Sequence, residues 1–197
     1  MASTDITALI RTIGRDSLPT AIDCAKREFG KVIVVADRKD LDPSMIVDGV
    51  IYLRNDEVID YHGGAGINLG AEHVETEFFC LLDDDDEYVL GAGDFMQQTI
   101  NSRPDIDIWI PGLLYNDGAV VCMANSTYPG NVAVPTYRTN VFLEHPFKKL
   151  DEGLDHAFTD YFHVKKIEDA GHKVGWYQNV IYLVRPKLQG RFGGGSL

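Results

Sequence analysis

The chain of 197 residues is 45% apolar and 24% charged, a composition that fits one well-buried core and excludes disordered and collagen-like chains. Its formal net charge of −12 argues against a broad nucleic-acid-binding surface, which would need Lys and Arg to neutralise phosphates. No stretch approaches the ~20 apolar residues of a membrane span, and Cys24, Cys80 and Cys122 lack disulfide or metal-site spacing. We therefore expect a cytoplasmic protein with buried free thiols.

Short apolar runs alternate with segments of helical period, which predicts an α/β fold with a mainly parallel central sheet flanked by helices. In the first half of the chain, the predicted elements are strands at residues 6–10, 32–35, 49–53 and 78–82, helices at 18–29 and 88–100, and a glycine-rich loop leading into a short helix over 61–70.

The second half is richer in Gly, Pro, Asn and Tyr, and we expect it to extend the sheet with short antiparallel pieces. Its predicted elements are strands at residues 106–110, 119–123, 173–177 and 181–184, and a helix at 159–170 that Gly171 ends. We expect one domain over residues 1–190, divided into halves at 1–110 and 111–190, and a flexible tail at 191–197.

Four consecutive aspartates, Asp83 to Asp86, follow the most apolar predicted strand. Such a run is often a solvated acidic loop. In an open α/β sheet, however, ligands bind at the carboxyl ends of the strands, and closely packed carboxylates repel one another unless a cation neutralises them. Carboxylate oxygens select Mg²⁺, Mn²⁺ or Ca²⁺ over zinc, so the run indicates a site for a hard divalent ion.

The order and spacing of several segments resemble the GT-A glycosyltransferases of family 2, and the run of aspartates is similar to the DxD motif of that family. The segments that carry the resemblance are residues 6–14, 32–37, 65–70 and 79–86, followed by Phe147, Asp151, Glu152, Leu154 and Asp160. The resemblance covers most of the chain and implies a single GT-A-like domain with a nucleotide-sugar-binding first half and an acceptor-binding second half.

The resemblance implies transfer of a sugar from a nucleotide diphosphate sugar, with a UDP-sugar favoured, to an unidentified acceptor hydroxyl with inversion. It implies Mn²⁺ or Mg²⁺ as cofactor and Asp160 as the base. The implied metal ligands are Asp83, Asp85 and Asp86, with His163 as a further candidate. The implied donor-binding residues are Thr12, Arg15, Asp37, Asn68, Asp83 and Asp84.

Three of these residues also have structural interpretations: a strand-end turn for Asp37, the first turn of a helix for Asp160, and core packing for His163. Two departures from the family pattern are Thr159, where Glu is usual, and Ile67, where Arg is usual. The alternatives are a nucleotidyltransferase on a similar sheet and a non-catalytic module that binds a divalent ion or a sugar.

Overall fold

The computed structural model describes residues 5–37, 42–45, 47–56, 64–121, 134–148 and 159–185. These residues form one sheet whose strands are β1 (Ile6–Thr12), β2 (Lys31–Ala36), β3 (Ile51–Arg54), β4 (Phe78–Asp83), β5 (Glu87–Tyr88), β6 (Ile108–Tyr115), β7 (Val120–Val121), β8 (Thr136–Arg138) and β9 (Val174–Val184). The described helices are α1 (Leu18–Glu28), α2 (Gly64–Ala71), α3 (Ala92–Ser102), α4 (Thr139–Glu144) and α5 (Thr159–Asp169).

The strands lie in the order β3, β2, β1, β4, β8, β6, β9 and β5, and β7 pairs with β6. Strands β1 to β4 pair in parallel, as do β6 and β9, whereas the shorter strands β5, β7 and β8 pair antiparallel with their neighbours. This arrangement is the predicted α/β sheet with a small antiparallel extension. None of the described helices is both long and apolar enough to cross a bilayer.

Strand β4 lies between β1 and β8 and is covered on both faces, as its unbroken apolar run predicts. Its five residues from Phe78 to Leu82 are all buried, and Cys80 among them is a free thiol, as is buried Cys24. The parallel register sets Arg11 of β1 beside Asp83, so the carboxyl ends of β1 and β4 meet at the same edge.

Helix α1 forms where it is predicted because its apolar residues recur at helical spacing. Leu18, Ile22 and Ala25 are buried, and the helix contacts β1, β2 and β4. A proline lies in its first turn, where the missing N–H has no helical partner to lose. Phe29, predicted as the last helical residue, is the extended residue that ends the helix.

Several elements differ from prediction, among them β6, which was predicted to end at residue 110 and runs to Tyr115. Tyr88, predicted to begin a helix, lies in β5 with its ring 5.1 Å from those of Phe29 and Tyr182, and α3 begins only after Gly91, whose φ is 83°. Strand β9 is continuous where two strands were predicted: its exposed residues Gln178 and Asn179 interrupt the apolar pattern at a register shift in the pairing with β6, and the pairing resumes at Val180. The six-residue helix α4 lies in a segment predicted as irregular and is too short to show a clear helical period.

The close packing of α2 against β1 and β2 depends on Gly70. A Cβ atom at this position would lie far inside the contact distance of the Leu9 side chain and 3.0 Å from Val35 Cγ2. Leu9 and Val35 are themselves buried in the core. The helix therefore reaches the sheet only because this position has no side chain.

We expect Gly70→Ala to lower the free energy of unfolding by about 1–3 kcal/mol, because the added methyl overpacks the core. Urea unfolding of the two proteins measures the difference. Leu9→Ala makes space for this methyl. The double variant should therefore lose less unfolding free energy than the sum of the losses in the two single variants. Simple additivity would contradict the steric explanation.

His163 of α5 is part of the core. Its ring stacks on that of Phe147 at a centroid distance of 3.8 Å and is 5% exposed. Its Nε2 donates to the His145 carbonyl at 2.7 Å, so Nδ1 accepts from the Tyr137 hydroxyl at 3.0 Å. Burial lowers the pKa of His163 to about 4, so the ring is neutral. Both ring nitrogens have partners in the core, which corrects the suggestion that His163 is a metal ligand.

We expect His163→Phe to cost about 1–3 kcal/mol at neutral pH, because it leaves the Tyr137 hydroxyl and the His145 carbonyl without partners. As the pH falls below about 6.5, the unfolded wild-type chain binds a proton that the folded chain excludes until about pH 4, so wild-type stability decreases. The phenylalanine variant lacks this loss. The difference in unfolding free energy between the wild type and His163→Phe, measured with urea, should therefore decrease from about pH 7.5 to about pH 5. A difference that stays constant over this range would contradict the pKa assignment.

Candidate functional site

The predicted site residues of β1, β2 and β4 meet at the carboxyl edge of the sheet. Thr12 is the last residue of β1, and its carbonyl accepts from the N–H of Asp37, the residue after β2, at 2.9 Å. Asp83 ends β4 beside Arg11. The edge therefore collects a hydroxyl, several carboxylates and a guanidinium from segments that are far apart in sequence.

Asp84 is the most enclosed residue of the aspartate run, at 1% exposed. Its carboxylate accepts from Thr12 Oγ1 at 2.6 Å and from the Ile13 N–H at 3.1 Å, and it forms an ion pair with Arg15. The Thr12 hydroxyl in turn accepts from the Gly14 N–H at 2.9 Å. Thr12 and Arg15 were predicted to contact the donor, and in this structure they fix Asp84 and the turn after β1.

Asp83 forms a two-point ion pair with Arg11, with Nε 2.6 Å from Oδ1 and Nη2 3.2 Å from Oδ2. Burial alone would raise the pKa of Asp83, but the charge of Arg11 reverses that effect and lowers it. Asp83 is therefore ionised. Its backbone N–H donates to the Tyr182 hydroxyl at 3.1 Å, which ties the end of β4 to β9.

Asp85 and Asp86 lie beside the end of β9. Arg185 Nε is 3.2 Å from Asp85 Oδ2, and the Arg185 backbone N–H donates to Asp86 Oδ1 at 2.8 Å. Arg15 Nε is 3.7 Å from the same Asp85 oxygen. Burial and the charge of Asp83 raise the pKa of Asp86 to about 8, although the hydrogen bond from the Arg185 N–H opposes this rise. A carboxylate in this environment is stabilised by additional positive charge.

Asp83, Asp85 and Asp86 form the acid cluster: each offers a carboxylate oxygen within 4.8 Å of the other two. Oxygen ligands at this spacing fit a hard divalent ion such as Mg²⁺ or Mn²⁺. The raised pKa of Asp86 points the same way, because such an ion would offset the repulsion within the cluster. These are the three aspartates that the family resemblance implies as metal ligands.

The side chain of Asp37, the residue after β2, packs between the end of β3 and helix α2. Asn55 Nδ2 donates to its Oδ1 at 2.9 Å, and burial raises the pKa of the carboxyl group. A Cβ atom at Gly66 would lie 2.7 Å from the same oxygen, so only glycine allows α2 to approach Asp37 this closely. The Asp37 carboxylate is half-buried and anchored at the site edge.

Asp160 lies in the first turn of α5 and is half-buried. Its Oδ2 accepts from the Val134 N–H at 3.3 Å. Burial raises the pKa of Asp160, Arg11 opposes this rise and Asp83 adds to it. The pKa of Asp160 is therefore sensitive to the charges of both Arg11 and Asp83.

Asn68 has a structural role. Its Nδ2 donates to the Phe147 carbonyl at 3.0 Å, and its Oδ1 accepts from the Phe147 N–H at 2.9 Å. Both polar atoms of the amide thus join α2 to the segment after α4. This pairing explains the residue without the donor contact that the family resemblance implies.

Sequence reasoning missed three residues of the site: Arg11, Asn55 and Tyr182. Arg11 and Asn55 had a weak signal, since each is a polar residue at or just beyond the carboxyl end of a strand. Tyr182 had none, because it reads as one more apolar residue of its strand. Arg185, the residue after β9, also contacts the acid cluster. Of the residues that the sequence singled out, Asp151, Glu152, Leu154 and Cys122 lie outside the described residues.

No protein-family model and no curated protein sequence matches this chain. Solved structures do match it. The structure of S. aureus TarS 1-349 superposes with a TM-score of 0.72 and 16% identity, covering 91% of this chain and 60% of that one. The same fragment in complex with UDP-GlcNAc gives a TM-score of 0.69 and 15% identity, covering 98% and 61%.

A third match is the mannosyltransferase PcManGT from Pyrobaculum calidifontis in complex with GDP-Man and Mn²⁺, with a TM-score of 0.67 and 12% identity. The match covers 97% of this chain and 59% of the mannosyltransferase. The chain thus spans about three fifths of the length of each of these three structures. At such low identity the likeness is one of fold. The chain therefore has the GT-A-like α/β fold of these glycosyltransferases. This confirms the fold that the family resemblance implied.

Proposed function

We propose that the protein is a metal-dependent glycosyltransferase that moves a sugar from a nucleotide diphosphate to an acceptor hydroxyl with inversion. The observation that carries the proposal is the acid cluster at the end of β4, with Asp160 close enough for its charge to interact with that of Asp83. A metal-ligand set beside a carboxylate of raised pKa suits this chemistry, because the reaction needs both a charge-neutralised leaving group and a base.

The donor in this proposal is a nucleotide diphosphate sugar, with a UDP-sugar favoured. The similar structures hold UDP-GlcNAc in one case and GDP-Man with Mn²⁺ in another, which supports this donor class. The half-buried Asp37 carboxylate would accept hydrogen bonds from the nucleoside. Residues 1–110 would form the donor half and residues 111–190 the acceptor half, in a cytoplasmic protein.

Asp83, Asp85 and Asp86 would hold Mn²⁺ or Mg²⁺, whose positive charge would neutralise the departing diphosphate. Arg15 and Arg185 already lie against Asp85, so they add fixed positive charge at the same place. Arg11 keeps Asp83 ionised and therefore able to act as a ligand. The chain's own contribution to leaving-group stabilisation is a set of charges positioned before the donor binds.

Asp160 would accept the proton of the acceptor hydroxyl as the oxygen attacks the sugar carbon and the bond to the diphosphate breaks. Burial raises the pKa of its carboxyl group, which makes it a stronger base than an exposed aspartate. Attack from the side opposite the leaving diphosphate inverts the configuration at that carbon.

Asp85→Asn should abolish metal-dependent donor binding, because it removes one charge from the acid cluster. Thermal unfolding with a panel of nucleotide diphosphates, with and without Mn²⁺, measures the effect. For the wild-type protein, the matching nucleotide at 100 times its dissociation constant should add about 2.7 kcal/mol of stability only when metal is present. Asp94→Asn, which changes an exposed aspartate in the first turn of α3, is the control and should behave as wild type. If nucleotide and metal stabilise Asp85→Asn as much as they stabilise the wild type, the acid cluster is not the metal site.

Asp160→Asn should keep donor binding and lower the rate of transfer by about 100- to 10,000-fold, because the acceptor hydroxyl loses its base. Asp169→Asn changes an exposed aspartate of the same helix and should leave the rate unchanged. A normal rate in Asp160→Asn would exclude it as the base.

The product released from the donor separates the proposal from its alternatives. Free nucleotide diphosphate is expected here, whereas a nucleotidyltransferase would release pyrophosphate. A binding module that holds a divalent ion or a sugar would release neither.

A further inference from the structure

We propose a second metal site, for a zinc-class divalent ion, at the histidine cluster formed by Glu144, His145 and His172. Each residue offers one ligand atom within 4.8 Å of the other two. Glu144 ends α4, His145 follows it, and His172 lies in the turn before β9, so the cluster joins segments that are 27 residues apart. This proposal is independent of the proposed transferase activity.

His172 is oriented in the way that metal-bound histidines usually are. Its Nδ1 lies 3.3 Å from Asp107 Oδ2, so this nitrogen donates to the carboxylate and the lone pair for a metal is on Nε2. Asp107 is held in turn, since its Oδ1 accepts from Arg138 Nε at 3.0 Å and its Oδ2 from the Lys173 N–H at 3.2 Å. A carboxylate behind a ligating histidine fixes the ring and increases its basicity.

The backbone at the histidine cluster is also fixed. The His145 carbonyl accepts from buried His163 at 2.7 Å, and the His145 N–H donates to Phe142 at 3.0 Å. The His172 N–H donates to the Ile167 carbonyl at 3.4 Å. The rings of His145 and His172 lie 5.4 Å apart at 74°. The backbone that carries the two histidines is therefore held in place by contacts within the fold.

Two imidazoles and one carboxylate select a different ion from that of the acid cluster. Imidazole nitrogen suits zinc and its neighbours, and His₂Glu is a known zinc ligand set that leaves a fourth position open. Mg²⁺ prefers oxygen ligands and should bind poorly here. A bound ion would cross-link the end of α4 to the turn that connects α5 and β9, and so stabilise the second half of the fold.

The test is Zn²⁺ titration by calorimetry of the full-length, tag-free protein carrying Asp85→Asn, which weakens zinc binding at the acid cluster. We expect one equivalent to bind in the micromolar range or tighter, and saturating Zn²⁺ to raise the Tm by several degrees. His145→Asn and His172→Asn together should abolish this binding. His73→Asn, an exposed histidine elsewhere, should leave the affinity unchanged.

Asp107→Asn tests the orienting carboxylate and should weaken Zn²⁺ binding about 10- to 100-fold. The Tm of each variant in EDTA reports whether the fold is retained independently of the metal. Absence of saturable Zn²⁺ binding, or binding that survives loss of both histidines, would overturn the proposal. Loss of the Zn²⁺ site in the folded His73→Asn variant would overturn it as well.

Discussion

The structure depends on the neutralisation of four consecutive carboxylates at the end of one buried strand. Carboxylates this close together raise one another's free energy unless positive charge or hydrogen-bond donors surround them. The chain supplies both: Arg11 pairs with Asp83, Arg15 with Asp84, and Arg185 with Asp85. These pairs tie the turn after β1 and the end of β9 to the end of β4.

This network also determines what the aspartate run can do. Asp84 is turned into the protein and serves as an anchor, which leaves the acid cluster together at one place. Asp160 reaches the same region from α5, and Tyr182 from β9. The site is therefore built from both halves of the chain, and neither half contains all of its charges.

The acid cluster and the histidine cluster differ in the ions that they suit. Oxygen ligands at the end of a parallel strand favour a hard ion that can also bind phosphate oxygens. Imidazole ligands backed by Asp107 favour an ion of the zinc class. His163 connects the two regions structurally, because it lies one turn after Asp160 on α5 and holds the backbone of His145.

The sequence by itself determined the α/β fold, the buried central strand and the strand end at which the aspartates lie, because apolar periodicity and the point where an apolar run stops are local signals. The resemblance to family 2 implied Asp83, Asp85 and Asp86 as metal ligands and Asp160 as the base, and these roles stay predictions. Only the tertiary structure decided that Asn68 and His163 are packing residues and that Arg11 is the partner of Asp83. Those assignments depend on contacts between residues as many as 79 positions apart, such as Asn68 with Phe147, and hydrophobic pattern along a chain carries no information about which distant polar groups will meet.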